Sequence, residues 1–411
     1  IYILDEGNIY NDSAQGWWLI NSLEKLNQSL SNNLYMYSGN YKDVISNLVK
    51  KYDIQAVYWN RSYDPYSINR DKDLKLYLEN NNIEVKSFNS TLLWEPWLVA
   101  KPDGTPYRVF SPFYRKGCLK QKEPRFPLPE PKKVSFFKLN DADDIKKLEL
   151  LNGFNWYDKL HEHWEIGEKA AQNKLSSFLN DGIDDYKDGR NFPAKNNVSR
   201  LSPHIRFGEI SPNQIWYAAR AVREDRNVDH FCSELGWREF SYYLIYHFPF
   251  IEKENLNKKF DTFPWLDNTD YLTAWQKGKT GYPIIDAGMR ELWKTGYMHN
   301  RVRMIVGSFL VKNLLIHWHH GHSWFNDCLV DADKANNTAG WQWIAGSGAD
   351  AAPYFRIFNP ITQGQNFDEE GLYTKRWIPE LSEMPNKYLF NPWEAPDEIL
   401  KNANIVLGQD Y

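Results

Sequence analysis

Along residues 1–90, short apolar runs alternate with stretches whose apolar positions recur at helical spacing. Ile1–Leu4, Leu34–Tyr37, Ile54–Trp59 and Ile83–Phe88 read as strands. Between them, Ser13–Asn32 carries Trp18, Ile20, Leu23, Leu26 and Leu30 on helical faces, and Tyr41–Tyr52 carries Val44, Ile45, Leu48 and Val49. Asn69–Asn81 is a third helical stretch. This βαβα rhythm predicts an α/β domain over residues 1–121, an open parallel sheet with helices on both faces. Gln121–Lys133 then places Pro124, Pro127, Pro129 and Pro131 among charges. Proline at that density continues neither helix nor sheet, so a linker spans 122–165. Beyond it the period is almost wholly helical. Ser211-Pro212 reads as an N-cap with proline at the first helical position, and Val228–Phe248 and Thr295–Trp318 read as long helices. Residues 166–411 are therefore expected to form a large all-α domain holding most of the tryptophans.

Composition narrows the class. A chain of 411 residues with 42% hydrophobic and 25% charged positions is an ordinary globular mix, which excludes collagen, disorder and a membrane bundle. Cys118, Cys232 and Cys328 lie far apart, so no disulfide framework, zinc ribbon or four-cysteine iron–sulfur site is supported. Their number fits a reducing, cytoplasmic setting. The opening Ile-Tyr-Ile-Leu lacks a basic leader, so no signal peptide is expected. The net charge of −4 means that a polyanion would have to be held by a local basic patch. Eighteen tryptophans are many for this length. They fit a large aromatic core, or stacking on sugars, nucleic-acid bases or a planar cofactor.

Three local patterns fail on inspection. Gly346-Ser347-Gly348-Ala349-Asp350-Ala351 matches G-x-G-x-x-A, but its surroundings are helical and Pro353 follows, so it is no dinucleotide fingerprint. Gly278-Lys279-Thr280 would need its first P-loop glycine at Thr273. His317, His319, His320 and His322 cluster without carboxylates at ligand spacing, so no metal is expected. They read as a helix end where histidine favours the C-terminal dipole.

Three other segments carry chemistry. On a helix Glu234, Trp237 and Arg238 share one face, offering a carboxylate, a π surface and a cation. Asn300, Arg303 and Met304 do the same, while Val302, Ile305 and Phe309 line an apolar side. Asp331, Asp333, Asn336 and Asn337 lead into Trp341 and Trp343. Read alone, paired carboxylates such as Asp331/Asp333 and Glu234/Glu239 also suit a tryptophan-rich glycosidase.

Taken together, the segments resemble the photolyase/cryptochrome family of flavoproteins over nearly the whole chain. Further matches are Ser199-Arg200-Leu201-Ser202-Pro203, Gly278 to Arg290, and Ala352-Pro-Tyr-Phe-Arg356-Ile-Phe-Asn359-Pro. Within the family the chain looks most like class I cyclobutane pyrimidine dimer photolyases. The (6-4) branch has a His-His pair where His299-Asn300 stands, the DASH branch has a different sequence around Arg301, and plant cryptochromes have Asp at the position of Asn337. By the resemblance, the family's opening strand, with its following loop and helix, would be expected before Ile1, and the family's usual end beyond Tyr411. Val198 replaces a threonine common in relatives, at the cost of one phosphate hydrogen bond.

The resemblance implies FAD folded within the helical domain, with Tyr186, Val198, Ser199, Arg200, Leu201 and Ser202 on its phosphate side. It places Arg238 in the cofactor site, Arg303 and Asp331 as a bracing ion pair, Asp333 near the ribose and Asn337 facing flavin N5. It also implies damaged DNA as partner, with a pyrimidine dimer flipped between Trp237 and Trp343. Glu234 would hydrogen-bond the dimer, and Asn300 and Met304 would complete the floor. Arg190, Arg301, Arg356 and Gln363 would meet the DNA together with these residues. Trp265, Trp318 and Trp341 match the family's electron-transfer chain. Light-driven repair by electron transfer from reduced FAD is the implied activity, and a cryptochrome-type photoreceptor is the alternative. A second, antenna chromophore of folate, deazaflavin or other kind would sit near Asn60–Tyr66. The implied state is a monomer that does not enter a membrane.

Overall fold

The structure, a computed structural model, describes residues 1–5, 10–140, 145–153, 155–351 and 356–411. The α/β part begins with β1 (Tyr2–Leu4), α1 (Ala14–Ser29), β2 (Met36–Ser38) and α2 (Tyr41–Tyr52). It continues with β3 (Ala56–Asn60), α3 (Pro65–Asn80) and β4 (Glu84–Phe88). Each helix has a local reason to start. The Ser13 hydroxyl accepts from the Gly16 amide, the Asn40 side chain from Lys42 and Asp43, and Asp64 from Ser67 ahead of Pro65. The last cap, with Pro65 at the first helical position, starts α3 four residues ahead of the expected Asn69.

The strands pair as two parallel ladders, β1 with β2 and β3 with β4, rather than as one continuous sheet. A doubly wound sheet grows outward from a central strand, and no strand among the described residues joins the two pairs. Helices cover them, burying Ile3, Tyr37, Ile45, Leu48, Leu74 and Leu78 together.

Residues 93–118 follow the α/β elements in sequence but pack with the helices. Leu93, Val99, Phe110, Phe113 and Cys118 share a core with Leu235, Phe240 and Leu244. The proline-rich stretch 122–140 is free of helix and strand, as its composition predicts.

The helical part holds the long Arg226–His247 helix and a Pro212–Val222 helix with a full capping box between Ser211 and Gln214. The expected helix over Thr295–Trp318 is instead three pieces. Pro283–Thr295 ends on Gly296 at φ +66. A Cβ at Gly296 would lie 2.7 Å from Val330, so glycine is needed there on both counts. His299 then caps Asn300–Ser308 through its ring, which accepts from the Arg301 amide at 3.2 Å. His317 caps Trp318–Cys328 in the same way, accepting from His319 at 3.2 Å. The apolar face runs on through Val302, Ile305, Phe309 and Leu310, which hides the breaks from a periodicity reading.

The histidine cluster is therefore corrected too. It stands at the start of a helix, where the dipole opposes positive charge. Burial, reinforced by neighbouring imidazoles, pushes His317 down to about 4. Burial, His319 and Lys334 do the same for His322, also to about 4.

Candidate functional site

A cavity of about 550 Å³ opens between the Arg226–His247, Asn300–Ser308 and Lys334–Ala345 helices, within the size range of ligand sites. Tyr186, Val198, Ser199, Arg200, Leu201, Ser202, Arg238, Arg303, Asp331, Asp333 and Asn337 all line it. So do Glu234, Trp237, Asn300, Met304, Trp341 and Trp343. Residues separated by more than 150 positions thus converge on one space.

One end is charged. Arg303 sends Nη2 to both Asp331 oxygens, at 3.1 and 2.9 Å, and Nε to the Met298 carbonyl at 2.7 Å. The Ser202 hydroxyl donates to Asp331 Oδ2 at 2.6 Å. Burial works against the Arg303 charge, but Asp331 and Tyr297 outweigh it and raise its pKa. Asp333 caps the Lys334–Ala345 helix by accepting the Asn336 amide at 2.8 Å, and its other oxygen accepts from the Tyr242 hydroxyl. Asn337 donates its Nδ2 to the His322 carbonyl at 3.0 Å. That bond commits the nitrogen and leaves the amide oxygen with no donor among the described residues.

The residues fit a dinucleotide cofactor. Arg200 sits at φ +51, its guanidinium 4.4 Å from the Trp164 ring centroid and 4.8 Å from that of Tyr297. Its buried Nε has no protein partner. A cation held by aromatic faces beside the Ser199 hydroxyl, which accepts the Leu201 amide and keeps its own proton, suits a pyrophosphate, and the free Asn337 oxygen suits a ring N–H.

The other end is aromatic. Trp237 stacks on Phe110 with centroids 3.8 Å apart and planes at 12°. Trp343 donates its indole N–H to the Asp350 carbonyl at 3.0 Å. Glu234 Oε1 pairs with Arg190 Nη1, so Arg190 is bonded inside the cavity instead of standing free for DNA. No donor among the described residues reaches Glu234 Oε2. His299 is held neutral, pushed down to about 3 by burial and then by Arg303, Arg190 and Arg301.

Five expected site residues lie outside the cavity. Trp265 and Trp318 border a second hollow of about 320 Å³ together with His317. The His317 ring lies 5.2 Å from Trp265 and 5.7 Å from Trp318. Gly321, one turn beyond Trp318, lets that helix close on Trp341, since a Cβ there would lie 2.0 Å from the indole. Arg301 bonds Asn191 and lies over Phe367 at 4.3 Å. Burial, Arg190 and Arg356 lower its pKa. Arg356 is exposed and Gln363 half-buried. Of the segment quoted from Ala352 to Pro360, residues 352–355 lie outside the described residues.

The paired-carboxylate reading falls. Glu239 turns away from the cavity to accept the Leu93 and Trp94 amides at 2.8 and 3.2 Å, and Asp331 is locked to Arg303. Near Asn60–Tyr66, Arg61 and Tyr63 both bond Glu95, and Arg61 lies 5.8 Å from the Trp97 ring centroid. Sequence reasoning missed Phe110, Asp350, Tyr242 and Trp164. Each reaches the site through a long-range contact with no local motif.

Residues 1–132 match the family described as DNA photolyase, and residues 231–411 match the FAD binding domain of DNA photolyase. The chain is 43% identical to a deoxyribodipyrimidine photo-lyase of Agrobacterium fabrum, over 100% of this chain and 87% of that protein. It is 34% identical to cryptochrome-1 of Arabidopsis thaliana, over 99% of this chain and 62% of the other. A solved class III photolyase from Agrobacterium tumefaciens superposes with a TM-score of 0.96 at 43% identity, covering 100% of this chain and 86% of that one. Class I is thus a finer placement than the relatives carry, and the solved neighbour bears the class III description.

Proposed function

The chain belongs to the photolyase/cryptochrome family, with an FAD-binding domain, and from that premise we propose that it repairs cyclobutane pyrimidine dimers in DNA under blue light. The observation that carries the reading is the convergence of the cofactor-type residues and the dimer-type residues on one cavity.

FAD, when bound, supplies light absorption and the electron that splits the cyclobutane ring and is then returned. The protein's own residues do the rest. Ser199 and Arg200 would hold the phosphates, with Ser202 beside them bracing Asp331, Asp333 would hold the ribose, and the Asn337 oxygen would accept a flavin ring N–H. A neutral amide accepts that proton's hydrogen bond without adding a titrating charge. Trp237 and Trp343 give π faces to the two pyrimidines, each stack worth about 1–3 kcal/mol. A crosslinked, poorly stacked pair costs less to flip out than normal bases. Glu234, braced by Arg190, offers its second oxygen to a pyrimidine N–H. Asn300 and Met304 close the floor, and Arg301, Arg356 and Gln363 meet the backbone at the rim. Trp341, Trp318 and Trp265 lead electrons inward from the surface. Residues 1–121 serve as an antenna-type domain, 122–165 as the linker, and 166–411 as the cofactor and catalytic domain, in a monomer. No helix among the described residues is long and apolar enough to cross a membrane.

The test is repair of a thymine dimer in a duplex by the reduced protein under blue light. Repair is expected. Flavin absorption without repair would transfer the chain to the photoreceptor reading that its match to cryptochrome-1 favours, and absence of flavin bands would remove both. Mass spectrometry of released chromophores tests for a second, antenna pigment.

A further inference from the structure

The turn Gly346 to Ala351, no dinucleotide cradle, is built to hold one residue still. Gly346 ends the Lys334–Ala345 helix at φ +89. The Gly348 amide bonds the Gln342 carbonyl at 2.9 Å, and the Asn257 amide bonds the Ser347 carbonyl at 2.9 Å. A Cβ on Gly348 would lie 2.9 Å from the Gln342 and Trp343 backbone, so glycine lets the turn lie flat on the helix end.

From this fixed turn Asp350 reaches two ways. Its carbonyl accepts the Trp343 indole N–H at 3.0 Å. Its Oδ2 accepts the Phe110 amide at 3.2 Å, and Phe110 stacks on Trp237 at 3.8 Å. One residue is thereby bonded to one aromatic wall directly and to the other through a single ring. Asp350 itself does not line the cavity.

We propose that Asp350 is a positioning residue that fixes the gap between Trp237 and Trp343, and so the width of the slot that takes two pyrimidine rings joined through a cyclobutane. This rests on the dimer-repair reading. Dispersion contacts fall off within a fraction of an ångström, so an aromatic slot selects only if its width is set. Removing the side chain leaves the Phe110 amide unpaired and frees Phe110, and Trp237 with it. The Trp343 bond survives, because it uses the main chain.

The left-handed backbone of Asp350, at φ +54, tolerates glycine and asparagine but strains alanine, so Asp350→Gly and Asp350→Asn are the variants to compare. Asparagine keeps an acceptor oxygen. Binding to a duplex with one thymine dimer is measured against intact duplex, beside flavin absorption and the fluorine spectrum of 5-fluorotryptophan protein, with Trp237 assigned through Trp237→Phe. Asp350→Gly is expected to lose about tenfold in discrimination, the size of one buried hydrogen bond. It should move the Trp237 signal and keep its flavin, and Asp350→Asn should restore both. An unmoved Trp237 signal, an asparagine variant as impaired as the glycine one, or flavin lost with the discrimination would overturn the proposal. If the parent itself does not discriminate, the dimer reading falls. The fluorine signals of the two variants then decide alone whether Asp350 sets Trp237.

Discussion

The two ends of the cavity are held by different forces. At the charged end Arg303, Asp331 and Ser202 form a closed set of hydrogen bonds, with the Asp331 side chain 3% exposed. At the aromatic end Trp237 is held by stacking on Phe110 and Trp343 by one indole bond, and both remain half-buried. A buried ionic network fails as a unit, because each partner satisfies a charge that has no other counterpart. An aromatic wall fails in proportion to the face removed. The first arrangement suits a cofactor that stays, and the second a substrate that enters and leaves.

The largest expected effect breaks the charged end. Asp331→Ala leaves the half-buried Arg303, 22% exposed, without its counter-charge, which costs up to about 3–5 kcal/mol. The variant should lose its flavin bands and melt well below the parent in a thermal scan. Asp331→Asn, which keeps an acceptor, should lose less. Equal melting of parent and alanine variant would mean that the network carries no stability and that the contrast between the ends is wrong.

The same contrast explains what could be read from the chain. The charged end was legible because its residues sit in short motifs, Arg303 beside Asn300 and Asp331 beside Asp333. The aromatic end was half legible. Trp237 and Trp343 stand in such motifs, but Phe110 and Asp350 meet across 240 positions, and nothing local marks either. In the α/β part the strands and helices were legible from their periods, while the split of the sheet into two pairs was not, since pairing is a property of strands in space. The helix breaks at Gly296 and His317 were hidden because the apolar stripe continues across them.

The next effect breaks the aromatic end alone. Trp237→Ala removes one stacking face, and discrimination of dimer over intact duplex should fall by about 1–3 kcal/mol with flavin retained. Competition binding measures it. Loss of flavin in this variant would show that the two ends are one structural unit.

Acid sharpens the contrast by loading the charged end, and with it the helix start at His317 beside Trp318, but not the aromatic end. His299 caps the helix that carries Arg303, and the His322 carbonyl orients Asn337. Burial is the first cause that holds them neutral, at about 3 and about 4. The unfolded chain takes up these protons near its ordinary value of about 6.5. Stability from these two groups is therefore complete above that pH and is lost as pH falls toward 4, each by at most about 1.4 kcal/mol per unit. Glu239 runs the other way. Burial raises it to about 7 against Arg238 and two backbone amides, so its protonation favours the folded chain as pH falls between about 7 and 4.5 and offsets one histidine. Urea midpoints should still drop from pH 6 to 4.5. Midpoints that rise over that interval would contradict the neutral histidines.

The smallest effect lies outside both ends, at the rim. Arg301 is fixed by Asn191 and by the Phe367 face, close enough to Arg190 and Arg356 for their charges to lower its pKa, after burial. Three guanidiniums crowded together repel one another unless an anion sits between or above them, and Arg190 already spends its charge on Glu234. On the proposed reading, Arg301 and Arg356 are left to face phosphate. A phosphate contact carries no base information, so it weakens damaged and intact duplex alike. Arg301→Ala should therefore lower affinity for both DNAs by a similar factor and reduce the slope of log affinity against log salt by about 1. Discrimination and flavin content should stay at the parent's values. A variant that loses discrimination instead would move Arg301 from the rim into the slot, and a parent whose affinity ignores salt would leave the cationic rim without a polyanion to bind.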